Sequence, residues 1–354
     1  MKILSIDTSA DDTSAAVTDD LVVLSNIVWS QASIHAKWGG IVPNIGRLEH
    51  EKRIGLVIKR AINGAHLELS SLDAVAVTVG PGLGIALGVG INEAKKIAQE
   101  NKLPLIGVNH IEAHLLSSLG KPKSNNKQEG AELKFPNFGL VISGGNTLLV
   151  QVEKIGNYKV LAQTRDDALG EALDKAGRML GLGYPAGPVV EKMARKGNSK
   201  KYLLPVPVVG REKEHFFSYS GIKTSLFRLI ESIKSQNNEL TKEDIQDLCA
   251  SFQDVAFKHL IRVVSYVLSH SASSNSSLLV GGGVCQNIEV RKRLRKMCKD
   301  LGLKVYFPYT KKLCGDNAAM IGITAFYKFQ RKEFIDIDKI DRLPNLKIDQ
   351  DVIL

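Results

Sequence analysis

The sequence predicts an α/β protein made of two lobes that share one plan. Three observations carry this. At 354 residues the chain exceeds what one ordinary small core holds. Runs of three short strands rich in β-branched residues open the chain and recur after residue 136. In both halves a later strand runs into a glycine-rich turn and then a helical pattern.

The elements follow in order. Residues 3–7 (ILSID), 14–18 (SAAVT) and 21–28 (LVVLSNIV) read as a meander. A helix near 46–63 leads to a buried strand at 74–79 (AVAVTV), the turn GPGLGIALGVG, and a helix whose polar face carries Glu93, Lys95 and Lys96. Strand 105–108 enters His110. The stretch 121–136 (KPKSNNKQEGAELKFP) is polar, lysine-rich and broken by prolines, which marks a lobe connection or surface insertion. Beyond it FGLVIS, TLLVQV and YKVLAQ form the second meander, followed by the strand SLLVG, a helix and the strand KVYF. Between these strands, 168–180, 186–196, 220–234 and 243–270 have helical periodicity, with Thr241 to Asp244 capping the last. No close internal repeat accompanies this, so the duplication is one of element order. The expected division is a first lobe at 1–120 completed by a helix at about 315–332, a second lobe at 137–314 with a helical insertion at about 165–272, and a charged, peripheral tail at 333–354.

Composition narrows the class. An apolar fraction of 44% and a charged fraction of 24% are those of a folded globular chain. No apolar run reaches the roughly 18 residues of a membrane span, and MKILSIDTS lacks the regions of a signal peptide, so a cytoplasmic protein with no membrane contact is expected. Cys249, Cys285, Cys298 and Cys314 form no CxxC pair, which fits free thiols in a reducing compartment. The net charge of +10 favours a polyanionic partner such as nucleic acid. Two clusters supply it: Arg195, Lys196, Lys200 and Lys201, and Arg291, Lys292, Arg293, Arg295 and Lys296. Solvated helix faces are the alternative.

Five strings carry chemistry. In NHIEAHLL the spacing of His110 and His114 puts both imidazoles on one helix face, within reach of one metal ion; capping of the helix start is the plainer alternative. Glu112 lies roughly 200° from the first histidine and points elsewhere. This differs from the zinc-peptidase HExxH, whose general base would stand where Ile111 is. In DTSADDTS, Thr8, Ser9 and Thr13 offer amides and hydroxyls to phosphate, and Asp7, Asp11 or Asp12 a carboxylate to a cation or reacting group, unless this is an ordinary hairpin turn. VISGGNT (141–147) and VGGGVCQN (280–287) let backbone approach a ligand. In LCGDNAAMIG, Asp316 and Asn317 precede a helix, as ligand or as N-cap. GEALDKAGRMLGLGYPAGP and FSYSGIKTS are richer in glycine and hydroxyls than packing requires and read as site loops. Together the glycine turns outline an interlobe nucleotide cleft of the actin and sugar-kinase type.

With these strings assembled, the chain resembles the TsaD family of tRNA threonylcarbamoyladenosine synthases, formerly labelled O-sialoglycoprotein endopeptidases. IDTSADDTS, HAKWGGIVP, VGPGLGIAL, GVNHIEAHLLS, ISGGNT, ALGEALDKAGRMLGLGYPAGP, FSYSGIKTS, GGGVCQN and LCGDNAAMIG stand in the family's order. The resemblance implies an actin-like (ASKHA) two-lobe fold with duplicated mixed β-sheet domains flanked by helices. It also implies transfer of threonylcarbamoyl from threonylcarbamoyl-AMP to N6 of adenosine 37 in tRNAs reading codons that begin with A. By motif position it makes His110, His114 and Asp316 ligands of one divalent ion, Fe2+ or Zn2+. Substrate contacts fall to Val141, Ile142, Ser143, Gly144, Gly145, Asp174, Gly187, Glu191 and Asn287, with Asp11 and Ser9 at the reacting centre. A bacterial member is expected to work with TsaB and TsaE. Asn146, Ala10, Asn44, Ala186 and Gly315 depart from the usual histidine, cysteine, glutamate, glycine and threonine, which bears on the nucleotide contacts. The rival readings are an actin-like ATPase or kinase with a structural metal, a metalloendopeptidase, and a non-catalytic scaffold.

Overall fold

A computed structural model describes residues 1–123, 134–237, 239–272, 276–350 and 352; most of the predicted connection at 121–136 therefore lies outside the described residues. In the first half the strands are β1 Lys2–Asp7, β2 Asp12–Asp19, β3 Val22–Ser30, β4 Ala74–Gly80, β5 Leu105–Asn109 and β6 Lys121–Pro122. Its helices are α1 Ala32–His35, α2 Pro43–Ala65, α3 Gly84–Asn101 and α4 His110–Leu116. The second half has strands β7 Asn137–Ile142, β8 Thr147–Lys154, β9 Asn157–Thr164, β10 Phe216–Phe217, β11 Ser277–Gly281 and β12 Lys304–Tyr306. Its helices are α5 Leu169–Met179, α6 Gly187–Ala194, α7 Ser220–Asn237, α8 Lys242–Ser271, α9 Ile288–Asp300 and α10 Ala318–Gln330.

The sheets run β5-β4-β1-β2-β3-β6 and β10-β9-β8-β7-β11-β12. In each, the first strand of an antiparallel meander also pairs in parallel with a later strand, β1 with β4 and β7 with β11, and that strand pairs in parallel with the next. The two topologies coincide strand for strand, down to the two-residue edge strands β6 and β10. Those edges escape a reading by hydrophobic pattern because two residues show no period. β4 is buried along its whole length. That is why AVAVTV reads as a continuous apolar run: helices cover both faces of the sheet at this strand.

Two helices lie between the sheets and position the site. α10 packs on β1, β2 and β5, and α4 packs on α10, β7 and β11. On α4, Ala113 enters the core with Ile3, Ile106 and Met320, whereas Ile111 and Leu115 enter the core with Val141, Val150 and Leu279 of the other sheet. With two faces of this short helix fixed by apolar burial, the orientation of the remaining residues is determined.

The segment 333–354, expected to be peripheral, is partly core. Ile340 and Leu346 are buried with Leu4, Val77 and Leu87, and Ile348 with Ile111. The amide of Leu343 donates to the Val79 carbonyl at 2.7 Å, and that of Ile335 to Leu105 at 2.9 Å. The isoleucines and leucines are spaced irregularly among charges, so neither helical nor strand periodicity reveals them.

In the helical part of the second lobe, fully buried His259 packs on Tyr219 and accepts the Ser218 amide at Nε2, 3.1 Å away. Burial, and then the charge of Arg262, pushes its pKa from 6.5 down to about 4. The folded state thus holds it neutral while the unfolded chain protonates, so its contribution is present above pH 6.5 and is lost as pH falls toward 4. That amounts to roughly 3 kcal/mol. The urea midpoint of the native protein is expected to fall more between pH 7 and pH 5 than that of His259→Gln; parallel pH profiles would remove this residue from the acid response.

Candidate functional site

β5 ends at Asn109, whose carboxamide oxygen accepts the amides of Ile111 and Glu112 at 2.9 and 3.2 Å and so starts α4 immediately. His110 and His114 then share the helix face left free by core packing, with ring centroids 4.6 Å apart. Across from them the turn before α10 brings in Asp316; Asn317, not Asp316, is the N-cap, its side chain accepting from Met320 at 3.2 Å. Capping thus falls to Asn317, while the Asp316 carboxylate faces the two histidines.

Asp316 Oδ1 lies 3.5 Å from His110 Nε2 and 3.1 Å from His114 Nε2, and the ligating atoms of all three residues fall within 4.8 Å of one another. Both nitrogens of buried His114 lack a hydrogen-bond partner among the described residues. A nitrogen 3.1 Å from a carboxylate oxygen yet not directed at it is the arrangement of two lone pairs that converge on a third body. The set of two imidazoles and one carboxylate suits zinc or iron(II), so the residues fit a divalent ion.

Electrostatics agree. Burial disfavours charge on His110, but the carboxylates of Asp316 and Asp7 outweigh it and raise its pKa to about 10. Burial and the neighbouring charge push His114 down. Burial likewise opposes ionisation of Asp316, yet the imidazoles hold its carboxyl far below the usual range. The trio is built to surround one positive charge. Behind it, buried Asp7 accepts from Thr78 Oγ1 at 2.7 Å and stands 3.7 Å from His110 Nδ1, beyond a hydrogen bond but placed to orient the ring.

Glu112 faces the far side of α4. Its carboxylate accepts from the Tyr158 hydroxyl at 2.8 Å, in a separate cavity of about 350 Å³ bounded by Lys328 and Arg331. Glu112 therefore does not stand at the trio as the general base of a zinc peptidase would.

The trio opens into a chamber of about 560 Å³ lined from both halves, by Ser9, Asp11, His110 and Asp316 on one side and Ser143, Gly144, Gly145 and Asp174 on the other. Gly144 and Asp174 also line an adjoining chamber of about 360 Å³ that holds Gly187, Glu191 and Asn287. Asp11 at this rim is raised by burial and then by Asp316, and Asp12, next in the chain but not in the lining, is raised to about 7 for the same two reasons.

Twelve of the fourteen candidate site residues thus meet in two connected chambers or in the trio that opens into them. Val141 and Ile142 do not: they sit in β7, paired on both sides, with side chains fully buried in two separate cores. Ser143 is where the chain leaves the sheet. Two others are more engaged than sequence suggests. Asp174 Oδ1 accepts the amides of Ala186 and Gly187 at 2.8 and 2.7 Å, tying down the start of α6. Asn287 caps α9 through Oδ1 and donates to Gln253 Oε1 at 2.8 Å. Tyr184, Arg178, Pro81 and Gly82 also line the larger chamber; the strings ALGEALDKAGRMLGLGYPAGP and VGPGLGIAL contain all four, but the sequence assigns none of them an individual role. Arg178 donates to the Gly39 carbonyl at 3.0 Å, which links α5 to the HAKWGGIVP loop across the cleft.

Residues 22–323 match the family described as tRNA N6-adenosine threonylcarbamoyltransferase, TsaD. The chain is 41% identical over 337 residues to a protein of that description from Thermodesulfovibrio yellowstonii, covering 95% of this chain and 97% of the relative. It is 38% identical over 351 residues to one from Clostridioides difficile, covering 98% of each. Among solved structures, component A of the (R)-2-hydroxyglutaryl-CoA dehydratase of Acidaminococcus fermentans matches with a TM-score of 0.54 and 14% identity, over 93% of this chain and 98% of that one. HypF in its phosphate- and nucleotide-bound form matches with a TM-score of 0.55 and 12% identity, over 93% of this chain and 56% of that one. At such identities the likeness is one of fold, and the fold is the duplicated actin-like plan that the sequence predicts.

Proposed function

Because this chain belongs to the tRNA N6-adenosine threonylcarbamoyltransferase family and is thus a tRNA-modifying transferase, we propose that it moves threonylcarbamoyl from threonylcarbamoyl-AMP to N6 of adenosine 37 at the His110, His114 and Asp316 trio. The observation that carries this reading is the convergence of these three residues, from the first and last thirds of the sequence, beside the interlobe chamber that His110 and Asp316 line.

His110, His114 and Asp316 would hold one ferrous or zinc ion, which supplies Lewis acidity toward the threonylcarbamoyl group. The nucleotide of the donor suits the smaller chamber, where Gly187 and Gly283 let backbone approach closely and Glu191 and Asn287 offer polar groups to a ribose and phosphate. Ser143, Gly144 and Gly145 flank the reacting carbonyl in the larger chamber. In the transfer the N6–carbonyl bond forms, the bond from that carbonyl to the phosphate oxygen breaks, and AMP leaves. Asp11, on the wall of the same chamber, accepts the proton that N6 loses, and Ser9 beside it orients the amine. The protein acts in the cytoplasm with TsaB and TsaE in this reading.

The test is mass spectrometry of tRNA nucleosides after incubation of the protein with its partners, tRNA and threonylcarbamoyl-AMP. Threonylcarbamoyladenosine at position 37 is expected; its absence with loaded metal and intact donor overturns the proposal. Phosphate release from ATP without tRNA would favour the ATPase reading.

A further inference from the structure

The two basic clusters of the sequence differ once the chain is folded. In the first, Arg195 is paired with Glu191, and Lys201 with Asp244 and Asp247, which leaves Lys196 and Lys200. In the second, Arg293 is engaged with Asp254 and Glu289, and among the described residues no ion pair involves Lys292, Arg295, Lys296 or Lys299. From Arg291 to Lys312 Asp300 is the one acidic residue.

The geometry makes this charge a surface. On α9, Val290, Leu294, Met297 and Cys298 are buried, while Lys292, Arg295, Lys296 and Lys299 are exposed at helical spacing on the other side. The guanidiniums of Arg291 and Arg295 lie over the Phe307 ring, 4.8 and 5.1 Å from its centre, which fixes the chain after β12 beside α9. That chain continues through Tyr309, 42% exposed, to Lys311 and Lys312. Lys311 also lines the smaller chamber with Glu191 and Asn287, so the basic surface runs to the mouth of the cleft.

We infer that the face formed by Lys292, Arg295, Lys296, Lys299, Lys311 and Lys312, with Tyr309 among them, is the surface that binds the tRNA backbone and leads the target adenosine into the cleft. Unpaired cations in a row release counterions on meeting phosphates, and an exposed ring among them accepts a stacked base. The inference rests on the transferase reading above, since it names where that reaction's polymer substrate sits.

The test compares the native protein with Lys292→Glu/Lys296→Glu/Lys299→Glu and with Lys196→Glu/Lys200→Glu as a control of similar charge change. Anisotropy of labelled tRNA is followed between about 50 and 200 mM salt. The triple variant is expected to bind tRNA at least about tenfold more weakly, with a salt slope reduced by about two to three. Its KM for tRNA should rise while KM for threonylcarbamoyl-AMP and metal content stay native, and the control should change little. Unchanged affinity and slope in the triple variant, or an equal loss in the control, overturns the assignment. So does a loss of kcat with native tRNA affinity, which would make the face a protein contact. Failure of the native protein to modify tRNA at all strikes the transferase reading instead.

Discussion

Replacing His110 with alanine is expected to lower the rate of threonylcarbamoyladenosine formation by at least about 1000-fold, or about 4 kcal/mol of transition-state stabilisation. The imidazole lies 3.5 Å from Asp316 through Nε2 and has Asp7 3.7 Å from its Nδ1. Its loss leaves two ligands, too few to fix a divalent ion in an open catalytic geometry. Three measurements separate this from a folding defect. Bound metal, read by mass spectrometry, should fall from one ion per chain to near none. The rise in melting temperature that Zn2+ or Fe2+ gives the native protein should vanish. Far-ultraviolet dichroism should stay native, because α4 is held by Ile111, Ala113 and Leu115, not by its histidines. Retention of native activity and metal content by the variant would remove the trio from the reaction.

The second large effect comes from a residue with no side chain. A Cβ on Gly281, the last residue of β11, would overlap the carbonyl oxygen of His114 and crowd the Leu115 amide. Both obstacles are backbone, so relief requires α4 to move off the second sheet. Gly281→Ala is expected to cost about 3 kcal/mol of stability, at the upper end of overpacking effects, and to weaken metal binding because His114 rides on the displaced turn. Gly283, two residues on, meets nothing within 4 Å of its added Cβ, so Gly283→Ala should leave the denaturation midpoint unchanged. Equal midpoints for the two variants would show that α4 and β11 are not in the close contact on which this depends.

The site was largely legible, and for a specific reason. The histidines are four apart on one helix, and the glycine strings break periodicity where backbone must approach a ligand, so both leave a mark in local sequence. Val141 and Ile142 fall outside the chamber lining because the string VISGGNT joins two environments: a strand that points its side chains into cores, and the turn that lines the chamber. Their apolar character fits the first and says nothing of the second. Asp174 and Asn287 stand in the chamber wall yet spend hydrogen-bonding capacity on helix starts, a division that depends on which amides come within reach.

What the sequence determined by itself is the plan: two meanders, each followed by parallel strands, and a helix that opens with a paired histidine face. These are readable because strand and helix periods act over a few residues, where chain connectivity makes neighbours. Only the tertiary structure decided that Asp316, some two hundred residues from His110, closes the trio, that Glu112 turns to Tyr158 instead, and that residues 340 to 348 are core. It also decided which basic residues keep their charge: Glu191, Asp244 and Asp247 pair with Arg195 and Lys201, and in the other cluster Asp254 and Glu289 pair with Arg293, while among the described residues no ion pair involves Lys292, Arg295, Lys296 or Lys299. Each of these is a pairing between distant segments, and the free energy of such a contact exists only after the lobes have folded and set both partners in place.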